Sequence, residues 1–329
     1  MTNFQHIFDK FDDLTVMVIG DVMVDAYLWG KVNRISPEAP VPILAGTQRE
    51  HRLGGAANVA LNLQALGAKP LLFSVIGNDR EAETFTKMLS ANGLAQEGIL
   101  ADSTRITTTK TRVIASTQHL LRIDEETTKP LHENLEKAFF AQIERLIDSE
   151  KIDAIIFEDY DKGVITPNII DWVVTLANNR KIPTLVDPKK RNFLAYKHVT
   201  LFKPNFKELC EGLNENVDKA SYEAIFEAAQ KINRRMNVRY AMITLSERGV
   251  LVSDGEQYSA IPAELRNIAD VSGAGDTVIS VASLCLAAGV DIPLVAAVAN
   301  LAGGLVCEKV GVAPISKKLL LSECIKKLA

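Results

Sequence analysis

The sequence predicts an α/β fold with a mainly parallel central sheet, helices on both of its faces and a small antiparallel β lid. Two observations predict it. Apolar runs rich in β-branched residues alternate with amphipathic stretches along most of the chain, the pattern of a parallel sheet buried on both faces. Two segments, 22–46 and 98–124, break that alternation. Their threonine, valine and aromatic residues favour strands with no helix between, which suits a lid standing off the main body.

In chain order, strands are expected at 14–19, 70–76, 154–157, 184–186, 199–202 and 240–245, each a short, nearly unbroken apolar run. Helices are expected at 56–66, 81–91, 131–147, 167–177 and 220–236, where apolar residues recur at helical spacing. Segments 278–290 and 292–306 are more apolar still, but Gly289, Asp291 and Pro293 divide them. Each falls short of the roughly 20 residues a membrane span requires, so both read as buried core helices. The sequence carries no internal repeat, low-complexity tract or long linker, and residues 1–329 are expected to form a single domain with an inserted lid.

The chain has 329 residues, 47% hydrophobic and 24% charged, enough apolar material for a large core. Its net charge of −4, with basic residues scattered among acids, argues against nucleic acid as a partner. The amino-terminal segment lacks the basic start and apolar core of a secretory signal, and no membrane partner is expected. Cys210, Cys285, Cys307 and Cys324 are far apart and form no CxxC pair, which suits reduced thiols in a cytoplasmic protein.

The segment with the most chemistry is Asp270-Val271-Ser272-Gly273-Ala274-Gly275-Asp276-Thr277, which runs straight into an apolar helix. Small residues let the backbone approach an anion, and the unpaired N–H groups of a helix's first turn point at it. Gly273, Ala274 and Gly275 can stabilise charge on a transferred phosphoryl group, while Asp276 can accept a proton from the attacking hydroxyl. The same residues also suit a plain helix start, with glycines for packing and an acid for the macrodipole.

Gly54 and Gly55 likewise lead into a helix, and Asn58 offers a donor and an acceptor to a sugar diol. Asp21 and Asp25 follow the first strand at its carboxyl end, where open α/β sheets bind ligands, although solvated turn acids fit equally. Asn205 and Glu208 share one face of an entering helix and suit Mg²⁺ held through its waters, or an N-cap. Lys162 and Lys189 follow strands, and Arg34 lies in the lid; these cations suit a phosphate already on the substrate. Ser246, Glu247 and Gly249 end a strand in a turn, and Asn300 lies in an apolar helix; these four suit an adenine pocket.

Together these segments resemble the ribokinase-like (PfkB) carbohydrate kinases over nearly the whole chain. Gly54-Gly55-Ala56-Ala57-Asn58, with Ala60, Gly67 and Gly77, is similar to the family's amino-terminal signature, and Asp270 through Asp276 to its carboxyl-terminal one. Within the family the nearer likeness is to the heptose 7-phosphate kinases of lipopolysaccharide core synthesis. It is carried by Gly20–Asp25, the run Arg34-Ile35-Ser36-Pro37-Glu38-Ala39-Pro40-Val41-Pro42, Asp159–Gly163 and Asp187–Lys189. Leu53, Ser272, Lys203 and Val281 depart from the usual pattern, and Lys203 bears on nucleotide contacts.

The resemblance implies a ribokinase-like fold and phosphoryl transfer from ATP to the anomeric hydroxyl of D-glycero-D-manno-heptose 7-phosphate. It implies Asp276 as base, Gly273–Gly275 as anion hole, and Asp21, Asp25, Gly54, Gly55 and Asn58 as sugar contacts. It places Mg²⁺–ATP near Asn205 and Glu208, nucleotide against Ser246, Glu247, Gly249 and Asn300, a monovalent cation among the cofactors, and a homodimer through the lid. Many such kinases are fused to a nucleotidyltransferase domain, but this sequence has no His-x-Gly-His segment, so adenylylation is expected of another polypeptide. Two alternatives remain: a sister kinase for another sugar, sugar phosphate or nucleoside, and a non-catalytic sugar or nucleotide sensor.

Overall fold

The computed structural model describes residues 2–116, 118–264 and 266–328; Thr117, within the expected lid, lies outside them, as do the terminal residues of the expected domain. Strands are β1 Thr15–Gly20, β2 Val22–Ile35, β3 Pro42–Gly55, β4 Lys69–Ile76, β5 Ile99–Ala101, β6 Thr109–Ala115 and β7 Gln118–Glu125. They continue with β8 Ala154–Glu158, β9 Thr184–Asp187, β10 Leu201–Phe202, β11 Tyr240–Thr244, β12 Val250–Ser253 and β13 Tyr258–Ile261. Helices are α1 Phe4–Lys10, α2 Ala56–Ala65, α3 Arg80–Ala91, α4 Glu133–Ser149, α5 Pro167–Asn179, α6 Phe206–Leu213, α7 Tyr222–Met236, α8 Ala274–Ala287, α9 Ile292–Val306 and α10 Lys317–Leu328.

The main sheet runs β13-β12-β11-β10-β9-β8-β1-β4-β5, parallel from β11 to β5 with β12 and β13 antiparallel at one edge. Alternation along β1 divides the core. Val16 and Val18 pack with α1, α2, α3, α8, α9 and α10 on one face. Met17 and Ile19 pack with α4, α5, α6 and α7 on the other. Because successive side chains point to opposite faces, a strand buried on both sides has to be apolar throughout, which is why β1, β4 and β8 read as unbroken runs.

The lid is a second sheet of order β3-β2-β6-β7. Its two antiparallel pairs, β2 with β3 and β6 with β7, are joined by a parallel pairing of β2 with β6. Its span differs from the expectation in two places. Strand β3 continues past residue 46 to Gly55, because the charged stretch Gln48–Arg52 is an exposed strand that reads as a loop. Ile99–Ala101 pairs with β4 at the edge of the main sheet, since three apolar residues do not reveal which sheet they join. The helix expected to enter at Asn205 is α6, while α1, α10 and the edge pair β12 and β13 stand outside the expected elements.

Helices α8 and α9 are the two apolar segments expected in the core. Among the described residues no helix is long and apolar enough to cross a membrane. The four cysteines are free, with Cys285, Cys307 and Cys324 buried and Cys210 partly so.

The fully buried Phe139 of α4 meets Phe73 of β4 edge-on at 6.0 Å between ring centroids, closing one face of the core. Phe139→Ala is expected to cost about 3–5 kcal/mol of stability. Urea unfolding is the check, and an unchanged midpoint would contradict this packing.

Candidate active site

The carboxyl ends of β1, β8, β9, β10 and β11 lie along one edge of the main sheet, and the first turns of α2, α6 and α8 come to the same edge. Helix α8 starts at Gly273, whose φ of 78° lies in the left-handed region glycine favours, and no side chain caps it. Its first-turn N–H groups therefore face outward without an intrahelical partner, an arrangement suited to an anion.

Asp276 sits in that turn with 4% exposure. Its Oδ2 accepts a hydrogen bond from Asn58 Nδ2 at 2.6 Å, and its Oδ1 accepts one from the Tyr160 hydroxyl at 2.9 Å. Burial pushes the carboxyl up to about 6; the Asn58 bond opposes this, nearby Asp187 adds to it, and Tyr160 and Lys203 oppose it. Burial, with Asp276 and Glu158 beside it, holds the Tyr160 phenol well above its usual range, so it stays a donor.

Each of these partners has its own support. Asn62, one helical turn beyond Asn58, donates to the Asn58 carbonyl at 2.9 Å, and its Oδ1 accepts from Ile315 N–H at 3.0 Å and the Thr277 hydroxyl at 3.1 Å. Asn62 thereby joins α2 to α8 beside the carboxyl. Tyr160 is placed by Asp21, whose carboxylate accepts from the backbone N–H groups of Tyr160 at 2.9 Å, Lys162 at 3.0 Å and Val164 at 3.0 Å. Asp21, expected to touch sugar, is in this structure the clamp on that loop.

Asp25 lies in β2 and pairs with Arg112 of β6. A Cβ on Gly54 would overlap the Asp25 carboxylate, so this position requires glycine. Lys203, buried at the end of β10, is 2.7 Å from Asp187. Burial alone would push the Lys203 ammonium down, but Asp187, Glu208 and Glu158 outweigh it and hold it up. Glu158 is buried with neither carboxylate oxygen hydrogen-bonded, and burial together with Asp187 and Asp276 drives it well above the carboxylate range.

The expected phosphate-gripping cations are placed differently. Lys162 Nζ is 2.8 Å from Glu126, and Lys189 pairs with Glu208 while lying 5.3 Å from the Tyr160 ring centre. Both are therefore already neutralised by acids distant in sequence. Arg34 is exposed near the far end of β2, nine residues and roughly 30 Å of strand beyond Asp25, so one chain does not bring it to this edge.

Asn205 and Glu208 form a capping box on α6. Asn205 Oδ1 accepts from Glu208 N–H at 2.9 Å, and Glu208 Oε2 accepts from Asn205 N–H at 2.8 Å. With the other Glu208 oxygen on Lys189, direct coordination would open this cap. Spare lone pairs leave room for a metal's waters, and this donor set fits Mg²⁺ in that manner. Ser246 and Gly249 bound the turn after β11, beside Asn205, whose backbone bridges to Thr244. Glu247 instead faces outward to Lys219 at 2.8 Å, and Asn300 donates to the Pro262 carbonyl at 2.9 Å.

Sequence reasoning missed Tyr160, Asn62, Glu158, Asp187 and Arg112 as site residues. A signal existed for the first four: Tyr160, Glu158 and Asp187 end or follow strands as Asp21 does, and Asn62 lies four residues after Asn58 on one helix face.

The family description "pfkB family carbohydrate kinase" matches residues 13–318 of this chain. The chain is 39% identical over 311 residues to the bifunctional protein HldE of Koribacter versatilis, covering 94% of this chain and 63% of that one. It is 38% identical over 296 residues to its namesake in Helicobacter pylori, covering 90% of this chain and 63% of that one. The chain thus spans less than two thirds of the length of these curated relatives. Among solved structures, phosphofructokinase-2 from Escherichia coli in complex with potassium superposes with a TM-score of 0.77 at 17% identity, covering 96% of this chain and 99% of that one. Arabidopsis thaliana ribokinase complexed with ribose and ATP gives 0.72 at 17% identity, covering 94% and 98%. At these identities the two structures speak for the fold, a ribokinase-like one.

The Asp276 carboxyl is expected to titrate at about 6, read by carbon NMR of labelled aspartate. Tyr160→Phe removes a donor that favours the ionised form, so the value is expected to rise. A fall, or no change, would mean the phenol does not act on this carboxyl.

Proposed function

The chain belongs to the pfkB family of carbohydrate kinases, and from that premise we propose that it transfers the γ-phosphoryl group of ATP to the anomeric hydroxyl of D-glycero-D-manno-heptose 7-phosphate. The product would be the 1,7-bisphosphate used for ADP-heptose and lipopolysaccharide core synthesis. The observation that carries the phosphoryl transfer is the buried Asp276 carboxyl, held by Asn58 and Tyr160 in the open first turn of α8. The acceptor rests on the relatives named HldE and on the Arg34–Pro42 run.

In this reading Asp276, ionised above about pH 6, takes the proton from the attacking hydroxyl. The N–H groups around Gly273–Gly275 receive the charge that develops on the transferred group. Asp25, Gly54, Gly55 and Asn58 line the sugar side, and Asp21 acts through the loop that carries Tyr160. Lys162 or Lys189 would grip the 7-phosphate by exchanging its carboxylate partner for the phosphate. Bound Mg²⁺ would neutralise the nucleotide phosphates, held through water by Asn205 and Glu208. Nucleotide would lie along the turn bearing Ser246 and Gly249. We assign these residues the kinase reaction alone, in the cytoplasm, where ATP is plentiful and four free thiols are compatible.

The lid exposes Ile35, Val41, Leu121 and Ile123, a surface suited to a second copy of the chain. A homodimer through the lid is expected in light scattering at micromolar concentration, and a monomer there would contradict this pairing.

An acceptor panel under Mg²⁺–ATP tests the central reading. Heptose 7-phosphate is expected to be the preferred acceptor; its failure beside rapid use of ribose or fructose 6-phosphate would assign the chain to another acceptor. Asp276→Asn is expected to lower kcat about 10²–10⁴-fold with acceptor binding retained. Since the carboxyl is protonated below about 6 and cannot then accept a proton, wild-type activity is expected to rise through that pH and level above it.

A further inference from the structure

The turn that opens α8 has no side-chain cap of its own, so whatever fixes Gly273–Gly275 must come from outside the helix. That support begins at Asp270. Its Oδ1 accepts from Ser272 N–H at 3.0 Å and lies 2.9 Å from the Ser272 hydroxyl, while its Oδ2 accepts from Gly311 N–H at 2.8 Å. The Cys307 carbonyl adds a second tie, accepting from Ala269 N–H at 2.8 Å and Asp270 N–H at 3.2 Å. The phosphate-facing turn is thus fastened to the loop between α9 and α10.

That loop is in turn held by the root of the lid. Arg52 of β3 donates through Nη1 to the carbonyls of Val312 at 3.0 Å and Val310 at 3.3 Å, while its Nε donates to Glu50 at 2.6 Å. Tyr27 of β2 accepts from Val312 N–H at 3.4 Å. A Cβ on Gly311, where φ is 74°, would overlap Arg52 Nη1, so the loop is shaped to admit the guanidinium.

Two further contacts join this support to the acceptor side. Arg52 stands directly across the β2–β3 ladder from Asp25. The Tyr27 ring lies 4.9 Å from the Arg52 guanidinium carbon and 5.4 Å from that of Arg112, and Arg112 pairs with Asp25.

We propose that Arg52 and Tyr27 are positioning residues for phosphoryl transfer, setting the phosphate-facing turn of α8 from the lid root through the 310–312 loop and Asp270. This rests on the reading of that turn as the cradle of the transferred phosphoryl group. Neither residue needs to touch substrate. Their effect is expected in the transition state, where the turn bears the most charge, more than in ground-state binding of either substrate.

The test compares the full chain with Arg52→Met, Arg52→Lys and Tyr27→Phe. It measures kcat, acceptor KM, thermal midpoint, and the binding of ADP alone and of ADP with aluminium fluoride, a mimic of the transferring phosphoryl group. Arg52→Met is expected to lower kcat and weaken the fluoride complex about tenfold, the rate equivalent of one lost charge-assisted hydrogen bond, with acceptor KM and ADP affinity unchanged. Arg52→Lys should recover part of both losses by reaching one carbonyl. Tyr27→Phe, which removes a single oxygen and keeps the ring, should show the same pattern more weakly. Wild-type kcat and fluoride binding in Arg52→Met would overturn the proposal, as would a loss that appears equally in acceptor KM and ADP affinity. If the wild-type chain phosphorylates no acceptor, the sugar-kinase reading falls, and the fluoride arm, which needs no acceptor, decides the positioning role alone.

Discussion

A carboxyl group removed from water needs hydrogen bonds or gives up its charge, and the joint between α2 and α8 is arranged around that constraint at Asp276. Asn58 and Tyr160 each give Asp276 one hydrogen bond, and each is held in turn by contacts of its own. Asn58 is held by Asn62, which also binds Thr277 and the Ile315 N–H, so α2, α8 and the segment before α10 meet at one amide. The loop that carries Tyr160 is held by three backbone bonds to Asp21, one each from Tyr160, Lys162 and Val164. The two faces of the core therefore converge on one side chain. The result is a carboxyl poised close to neutrality and fixed in direction, in the first turn of a helix that no side chain caps.

The surrounding charges are balanced in pairs. Lys203 with Asp187, Lys189 with Glu208, Lys162 with Glu126 and Arg112 with Asp25 line the same edge. Glu158 is buried near Asp187 and Asp276 with neither carboxylate oxygen hydrogen-bonded. Its neighbours' negative charge and its own burial both favour the protonated acid, which spares the site a further buried carboxylate charge. Lys203 has a physical account here: with Asp187 it forms a buried ion pair beneath the turn, where the Cβ of a residue at Gly275 would sit 3.3 Å from the Asp187 carboxylate.

The layered sheet was legible because strands buried on both faces must be apolar without interruption, and β1, β4, β8 and β11 fall close to their expected limits. Asn58 and Asp276 are each legible as part of a small-residue turn that starts a helix, but their hydrogen bond, between residues 218 positions apart, is not. What pairs with what was hidden wherever the partner is remote. Glu126 meets Lys162 across 36 residues of sequence, and nothing local in either segment announces it. Asp21 looked like a sugar ligand because it ends a strand, yet the three N–H groups it accepts from belong to a loop whose path only the fold defines. The motif around Arg34 points to the site, while the length of β2 carries the residue away. Strand β3 runs past its expected end because exposure on a two-stranded extension permits the charged residues that usually mark a loop.

As proposed, Asp276 is a base for direct transfer and never receives the phosphoryl group itself. The stereochemical course of the reaction tests this most directly, using ATP whose γ-phosphoryl group is made chiral with oxygen isotopes. A single in-line displacement between ATP and the acceptor hydroxyl inverts the configuration at phosphorus, and inversion is the predicted result. Net retention would require two successive displacements through a phosphorylated side chain and would contradict the role given to Asp276.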